Sequence, residues 1–187
     1  MIIRPATQQD SAAIADCLLL AMQNIVKLFL ATDDPNAARR FMSHFTALPG
    51  NQYSFENCQI ALIDGKVVGA INVYDGAHLD ELRKPVMDYI RENHNPTFAP
   101  EDETGPGEYY IDTLGVLPEH RLKGIATALL QSSVEHFVHR NRSTLSLLVA
   151  PYNDKAKRLY LNLGFQPVGT KILMGETLEH LQYPHHG

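Results

Sequence analysis

The order of apolar and polar positions divides the chain into elements before any chemistry is considered. Met1 to Ala6 opens as a strand. Ile14, Leu18, Ala21, Ile25 and Phe29 then recur at spacings of three and four, which predicts one face of a long amphipathic helix. Thr7 stands where an N-cap is needed, and Asp10 completes an acidic capping box. Asp34-Pro35 starts a second helix striped by Ala38, Phe41, Met42 and Phe45, and Pro49-Gly50-Asn51 closes it. Cys58 to Ile63 reads as a strand, Asp64-Gly65 as a two-residue hairpin turn, and Val67 to Tyr74 as a central return strand.

The pattern then changes. Asp75 to Gly107 is rich in acidic residues, with a short helix predicted around Leu82, Val86, Tyr89 and Ile90 and Pro85 in its first turn. Asn95 to Gly107 reads as loop. So long a connection is either a functional or mobile segment or a solvated insertion, and the pattern leaves both open. Tyr109 to Val116 is a strand, and Leu122 to Val138 is a helix with Ala126, Leu130, Val134 and Phe137 inward. Thr144 to Val149 is nearly continuously apolar, as in a strand covered on both faces. Asn153 to Leu163 is a helix stopped by Gly164. Phe165 to Leu173 returns as a strand, and a last short strand falls near Leu178 to Tyr183.

With 187 residues the chain has the size of one domain. A net charge of −5 argues against a general nucleic-acid binder. No apolar run reaches the length of a membrane span, and polar residues soon follow Met1-Ile2-Ile3-Arg4, unlike a signal peptide. Two cysteines, Cys17 and Cys58, are too few for a disulfide framework, so both are expected to be reduced thiols in a cytoplasmic protein. The nine histidines show no metal-ligand spacing, so no metal is expected. His185-His186-Gly187 reads as a frayed tail.

The candidate chemistry lies between Glu108 and Leu130. A strand runs into the basic turn Arg121-Leu122-Lys123-Gly124-Ile125-Ala126, which opens into an apolar helical pattern. A helix start leaves backbone N–H groups unpaired and carries partial positive charge. Gly124 and Ala126 let an anion approach those amides, and Arg121 and Lys123 add formal charge, so the stretch suits a pyrophosphate.

This stretch resembles the Arg/Gln-x-x-Gly-x-Gly/Ala signature of the GCN5-related N-acetyltransferase (GNAT) superfamily. A second motif follows, Asn153-x-x-Ala156-x-x-x-Tyr160-x-x-x-Gly164-Phe165. The resemblance covers Glu108 to about Leu173, and the first half matches in its order of elements. It implies a mixed α/β fold: a central, mostly antiparallel sheet with a splayed parallel strand pair, flanked by helices. The whole chain would be one domain, with 75–107 an insertion and 108–173 the cofactor-binding and catalytic core. The implied reaction moves the acetyl group of acetyl-CoA to a primary amine by direct attack in a ternary complex. Leu122, Lys123, Gly124, Ile125, Ala126 and nearby Thr127 would hold the pyrophosphate. The pantetheine arm would pair with Leu114 to Val116 in the gap facing Thr144 to Val149, and Gly115 would suit a bulge opening that gap. The Val116 N–H would stabilise the oxyanion.

Individual roles compete with plainer ones. Tyr160 is expected to return a proton to the leaving thiolate, against a role as a core aromatic. Asn153 is both a natural helix N-cap and a candidate pantetheine contact. His120 is left out of the site. Some family members carry a Glu on the central strand where this chain has Tyr110, so the base is unassigned by resemblance. Glu108, Tyr110 and Asp112 share one strand face, and this array is expected to bind and deprotonate a cationic amine through a water, with Asp112 the catalytic member, against a role for Asp112 in bonding a neighbouring loop. The expected partner is a small cationic metabolite such as a polyamine, amino-sugar or amino-acid derivative, with no nucleic acid or membrane, and with a homodimer left open. A non-catalytic acyl-CoA-sensing module, a protein or peptide acceptor, and an unrelated nucleotide-binding α/β protein are the competing readings.

Overall fold

A computed structural model describes residues 1–185; of the tail expected to fray, His185-His186-Gly187, the last two residues lie outside the described ones. Among the described residues, strands β1 (Ile2–Pro5), β2 (Cys58–Ile63), β3 (Lys66–Asp75), β4 (Glu108–Val116), β5 (Thr144–Val149), β6 (Gln166–Leu173) and β7 (Glu176–Tyr183) form one sheet. Their order is β1-β2-β3-β4-β5-β7-β6. Only β4 and β5 pair parallel; the other neighbours are antiparallel. The β2–β3 turn falls on Asp64 and Gly65, both at positive φ as a two-residue hairpin demands.

Helices α1 (Ser11–Phe29), α2 (Pro35–Ala47) and α3 (Leu79–Asn93) cover one face of the sheet, and α4 (Ile125–Ser133) and α5 (Asp154–Leu163) the other. At the start of α1 the Asp10 carboxylate accepts the Thr7 N–H at 2.8 Å, so the acidic arm of the capping box is formed. The Asp34 carboxylate caps α2 through the Asn36 N–H, with Pro35 in its first turn. All four residues of the α2 stripe are buried.

Several expectations change. The inner face of α1 is Ile14, Leu18, Met22, Val26 and Phe29, whereas Ala21 points out of the core. The apolar register rotates because α1 packs on both α2 and the sheet. With its preceding turn, Gln8–Phe29 is also long and apolar enough to span a membrane, contrary to the reading of the bare sequence. Ile14, Leu18 and Val26 are wholly buried in the domain core, which accounts for that hydropathy.

Helix α3 is 15 residues long, and Pro85 lies in its interior rather than its first turn. Its buried face is Leu79, Arg83, Val86 and Ile90. A charged residue at a core-facing position hides the first two turns from an apolar count. Helix α4 starts at Ile125, three residues later than expected, and continues as a π-helical segment over Val134–Arg140. Leu122 to Gly124 stay outside it, because Leu122 and Gly124 both hold positive φ. Ile125, Leu129 and Leu130 anchor α4, and Ala126 is only half-buried.

The largest correction concerns β4. The bulge sits at Asp112, not Gly115: Thr113 pairs with Asn72 and Ile111 with Val73, leaving Asp112 as the extra residue. Gly115 serves close packing instead. A Cβ there would lie 1.8 Å from the Cys17 carbonyl oxygen, so β4 and the α1 backbone touch directly. Cys17 is therefore next to the motif strand, although far from it along the chain.

Candidate active site

The parallel pairing of β4 and β5 runs from Glu108–Thr144 to Ile111–Leu147 and stops. From Asp112 to Val116, β4 continues beside a gap. The Leu117 N–H bonds the Val68 carbonyl at 2.9 Å, and Val116 and Leu114 lie opposite Gly69 and Ile71 in the same register. Antiparallel pairs alternate, so the backbone polar groups of Val116 and Leu114 turn away from β3 into the gap. The Arg121 Nε–H donates to the Val116 carbonyl at 3.2 Å, and the Val116 N–H faces the gap.

The basic turn lies at one end of this gap. Its left-handed residues, Leu122 (φ 61°) and Gly124 (φ 78°), bend the chain so that consecutive amides converge. The first bond into α4 runs from the Ala128 N–H to the Gly124 carbonyl at 2.9 Å. Among the described residues, the N–H groups from Leu122 to Thr127 find no acceptor. These unpaired donors at a helix start make an anion site, with Arg121 and Lys123 exposed beside it. A groove of about 430 Å³ joins the turn to the gap, walled by Leu20 and Ala21 of α1 and by Asn153, Ala156 and Tyr160 of α5. Outward-facing Ala21 thus has a place: a small side chain keeps this groove open.

Asn153 caps α5, its side-chain oxygen accepting the Ala156 N–H at 3.2 Å, while it also lines the groove. Both readings of that residue fit. Tyr160 packs edge-on against Phe165 at 5.9 Å, and burial pushes its phenol up to about 12. It keeps its proton at neutral pH and is a donor, not a base. Burial likewise pushes the Cys17 thiol up to about 12 and the Cys58 thiol to about 12, which makes both poor nucleophiles. Among the described residues, no group of three or more His, Cys, Asp or Glu side chains stands in metal-holding geometry.

Earlier along β4, at Tyr110, Asp112 and Thr113, lies a second, smaller pocket of about 90 Å³. Its polar end is Asp112. The bulge places Asp112 and Thr113 together, and the Thr113 hydroxyl donates to Asp112 Oδ2 at 2.7 Å. Gln52 Nε2 and the Tyr74 hydroxyl donate to Asp112 Oδ1 at 3.2 and 3.3 Å. The same two donors reach Glu103 Oε1 at 2.7 and 2.8 Å. Two carboxylates therefore share one pair of donors. Arg83 bonds the second Glu103 oxygen, and also Asp102 at 2.8 Å and the Glu101 carbonyl at 3.1 Å. Burial, and then the nearby Glu103 charge, push Asp112 up to about 6.

The expected array of Glu108, Tyr110 and Asp112 is brought together only in part. Tyr110 is buried beside Asp112 and packs edge-on against Tyr74 at 5.8 Å. Glu108 is held elsewhere, by Gln182 at 2.8 Å, Thr104 at 2.8 Å and His180 at 3.0 Å. Burial raises its pKa, but those bonds and the His180 charge outweigh it and hold the carboxyl below its ordinary value. It is committed to joining β4 and β7. Nothing local in the sequence marks Glu103, Gln52, Tyr74 or Arg83 as site residues. Glu103 is one acidic residue among many in the insertion, and no spacing marks it. The insertion is also fixed in place: the Glu101 carboxylate accepts the Met174 N–H at 2.7 Å, and Arg91 Nε donates to the Phe98 carbonyl at 2.8 Å. It forms a wall of the pocket.

A crystal structure described as an acetyltransferase superimposes over all of both chains, with a TM-score of 0.80 and 26% identity. An N-acetyltransferase from Staphylococcus aureus Mu50 follows, with a TM-score of 0.79, 23% identity, and 98% and 100% of the two chains covered. Mycothiol acetyltransferase from Acidimicrobium ferrooxidans is 33% identical over 67 residues, 36% of this chain and 21% of that protein, so only about a fifth of this curated relative is spanned. The acetyltransferase (GNAT) family model matches residues 22–165, from α1 through both motifs to the start of β6. That match takes in more than three quarters of the chain, including the strand, the turn of unpaired amides and the α5 motif, and the chain belongs to the GNAT family.

Proposed function

We propose that the chain is one N-acetyltransferase domain, with 75–107 an insertion, that transfers the acetyl group of acetyl-CoA to a primary amine in a ternary complex. The observation that carries this reading is the position of Asp112: a half-buried carboxyl at the bulge where β4 leaves β5, lining the acceptor pocket, while Leu114 to Val116, the next residues of the same strand, line the groove. The amides from Leu122 to Thr127, with Arg121 and Lys123, hold the cofactor phosphates. Leu114 and Val116 offer the gap a strand edge, and Asn153 contacts the pantetheine arm from the far wall.

An alkylammonium titrates near 10.4, so only about one molecule in a thousand is neutral at pH 7. Asp112, poised at about 6, is ionised at neutral pH and takes the ammonium proton. The freed nitrogen lone pair attacks the thioester carbonyl carbon. The Val116 N–H bonds the oxygen that becomes negative. As the carbon–sulfur bond breaks, Tyr160 gives its proton to the leaving sulfur; the nitrogen, which still carries one proton too many, gives it back to the Tyr160 phenolate through water, and Asp112 releases its own proton to solvent. Tyr110 packs the acceptor side of the pocket, and Glu108 acts only through the strand it fixes.

The test is Tyr160→Phe, which keeps the ring against Phe165 and removes the proton. Turnover should fall by about 10²-fold or more, with CoA binding within about threefold of wild type. Unchanged turnover would remove Tyr160 from the reaction. A wild-type protein that binds CoA yet acetylates no amine would favour the acyl-CoA-sensing alternative.

A further inference from the structure

We infer that the acceptor is a small apolar monoamine, neither a polyamine nor an amino acid; this rests on the acetyl-transfer reading above. The inference comes from counting charges in the pocket and following its walls. Of the buried charged groups, Arg83 and Glu103 neutralise each other as a direct ion pair, with side chains 6% and 5% exposed. Asp112 is left as one negative charge, matched to one ammonium. Apart from the uncharged polar groups of Gln52, Tyr53, Tyr110 and Thr113, the other walls are apolar: Met22, Ile25 and Phe29 from α1, Val86 from α3, Phe98 from the insertion, and Leu173 from β6.

A second ammonium would therefore sit among Phe29, Phe98 and Ile25 with no counter-charge, which is costly against apolar walls. An acceptor carboxylate fares no better. The Arg83 Nη1 and Nη2 groups already bond Asp102, the Glu101 carbonyl and Glu103, so its guanidinium fork has no face left for a bidentate partner. The space holds roughly six to nine water-sized groups, enough for a short alkyl or aryl chain. The acidic character of residues 75–107, which favours a polycation when read along the chain, is thus largely absent from the surface the substrate meets. Glu101 is bound to Met174 and Glu103 to Arg83.

Two matched pairs test this by acetyl-CoA-dependent thiol release. Hexylamine against hexamethylenediamine adds only a second cation, and phenethylamine against phenylalanine adds only a carboxylate. The kcat/KM should favour the monoamine of each pair by about tenfold or more. In a second arm, Ile25→Asp supplies a carboxylate half-way along the wall and should shift the hexylamine preference toward the diamine by about tenfold. Equal or better use of the diamine or the amino acid by the wild-type protein overturns this inference alone. Failure to acetylate any of the four while CoA still binds overturns both it and the acetyl-transfer reading.

Discussion

Replacing Asp112 by Asn is expected to lower kcat by about 10²–10³-fold and to leave the fold as stable or more so. Most core substitutions lose stability, and this one should not, because the native carboxylate is itself a cost. Its folded pKa of about 6 lies above the ordinary 3.8. The unfolded chain therefore releases the proton first as pH rises. Stability is lost progressively between about pH 4 and 6, and the cost, on the order of 3 kcal/mol, is full above that. Asn keeps an oxygen for Gln52 and Tyr74 and removes the repulsion from Glu103. The Thr113 hydroxyl reverses to accept from the new amide. Thermal unfolding at pH 5 and pH 8 reads the effect: the variant should gain on wild type at the higher pH. In wild type, kcat/KM should fall as pH drops through about 6, where Asp112 takes up its proton. If Asp112→Asn keeps its turnover, another group is the base.

The second large effect is structural. Gly115→Ala should cost about 3 kcal/mol or more, at or beyond the usual range for overpacking. The added carbon would fall 1.8 Å from the Cys17 oxygen and 2.6 Å from its carbonyl carbon. These are backbone atoms inside α1, so relief requires moving the helix off the sheet. Both the groove and the acceptor pocket use α1 as a wall, and CoA binding should weaken in parallel. Gly69→Ala is the control. Its nearest neighbours lie at 3.2–3.3 Å and include the flexible ends of Ile125 and Leu129, so about 1 kcal/mol is expected. A urea midpoint for Gly115→Ala close to wild type would mean that α1 is not seated on β4 in this way.

Local patterns determined much of this protein. The turn at Asp64-Gly65, the Asp34-Pro35 helix start, the strand Thr144–Val149 and the stop at Gly164 are where the residues alone place them. Each depends on conformational preferences within a few residues. The resemblance of the two motifs in the second half likewise led to the right family and sheet. Tertiary structure decided what local patterns cannot encode. The bulge at Asp112 depends on how β4 registers with β3, and a one-residue slip moves a side chain to the other face. Gly115 faces a helix nearly a hundred residues earlier, so its reason is a contact and not a turn. Gln52 precedes the hairpin, and Arg83 and Glu103 come from two ends of the insertion; they gather beside Asp112 only when the loop after α3 folds back onto that helix. Along the chain they are an acidic loop, a charged break in an apolar stripe and a polar residue after a turn. Only burial against one another turns them into a pocket with a single net charge, because charge matters most where water is excluded.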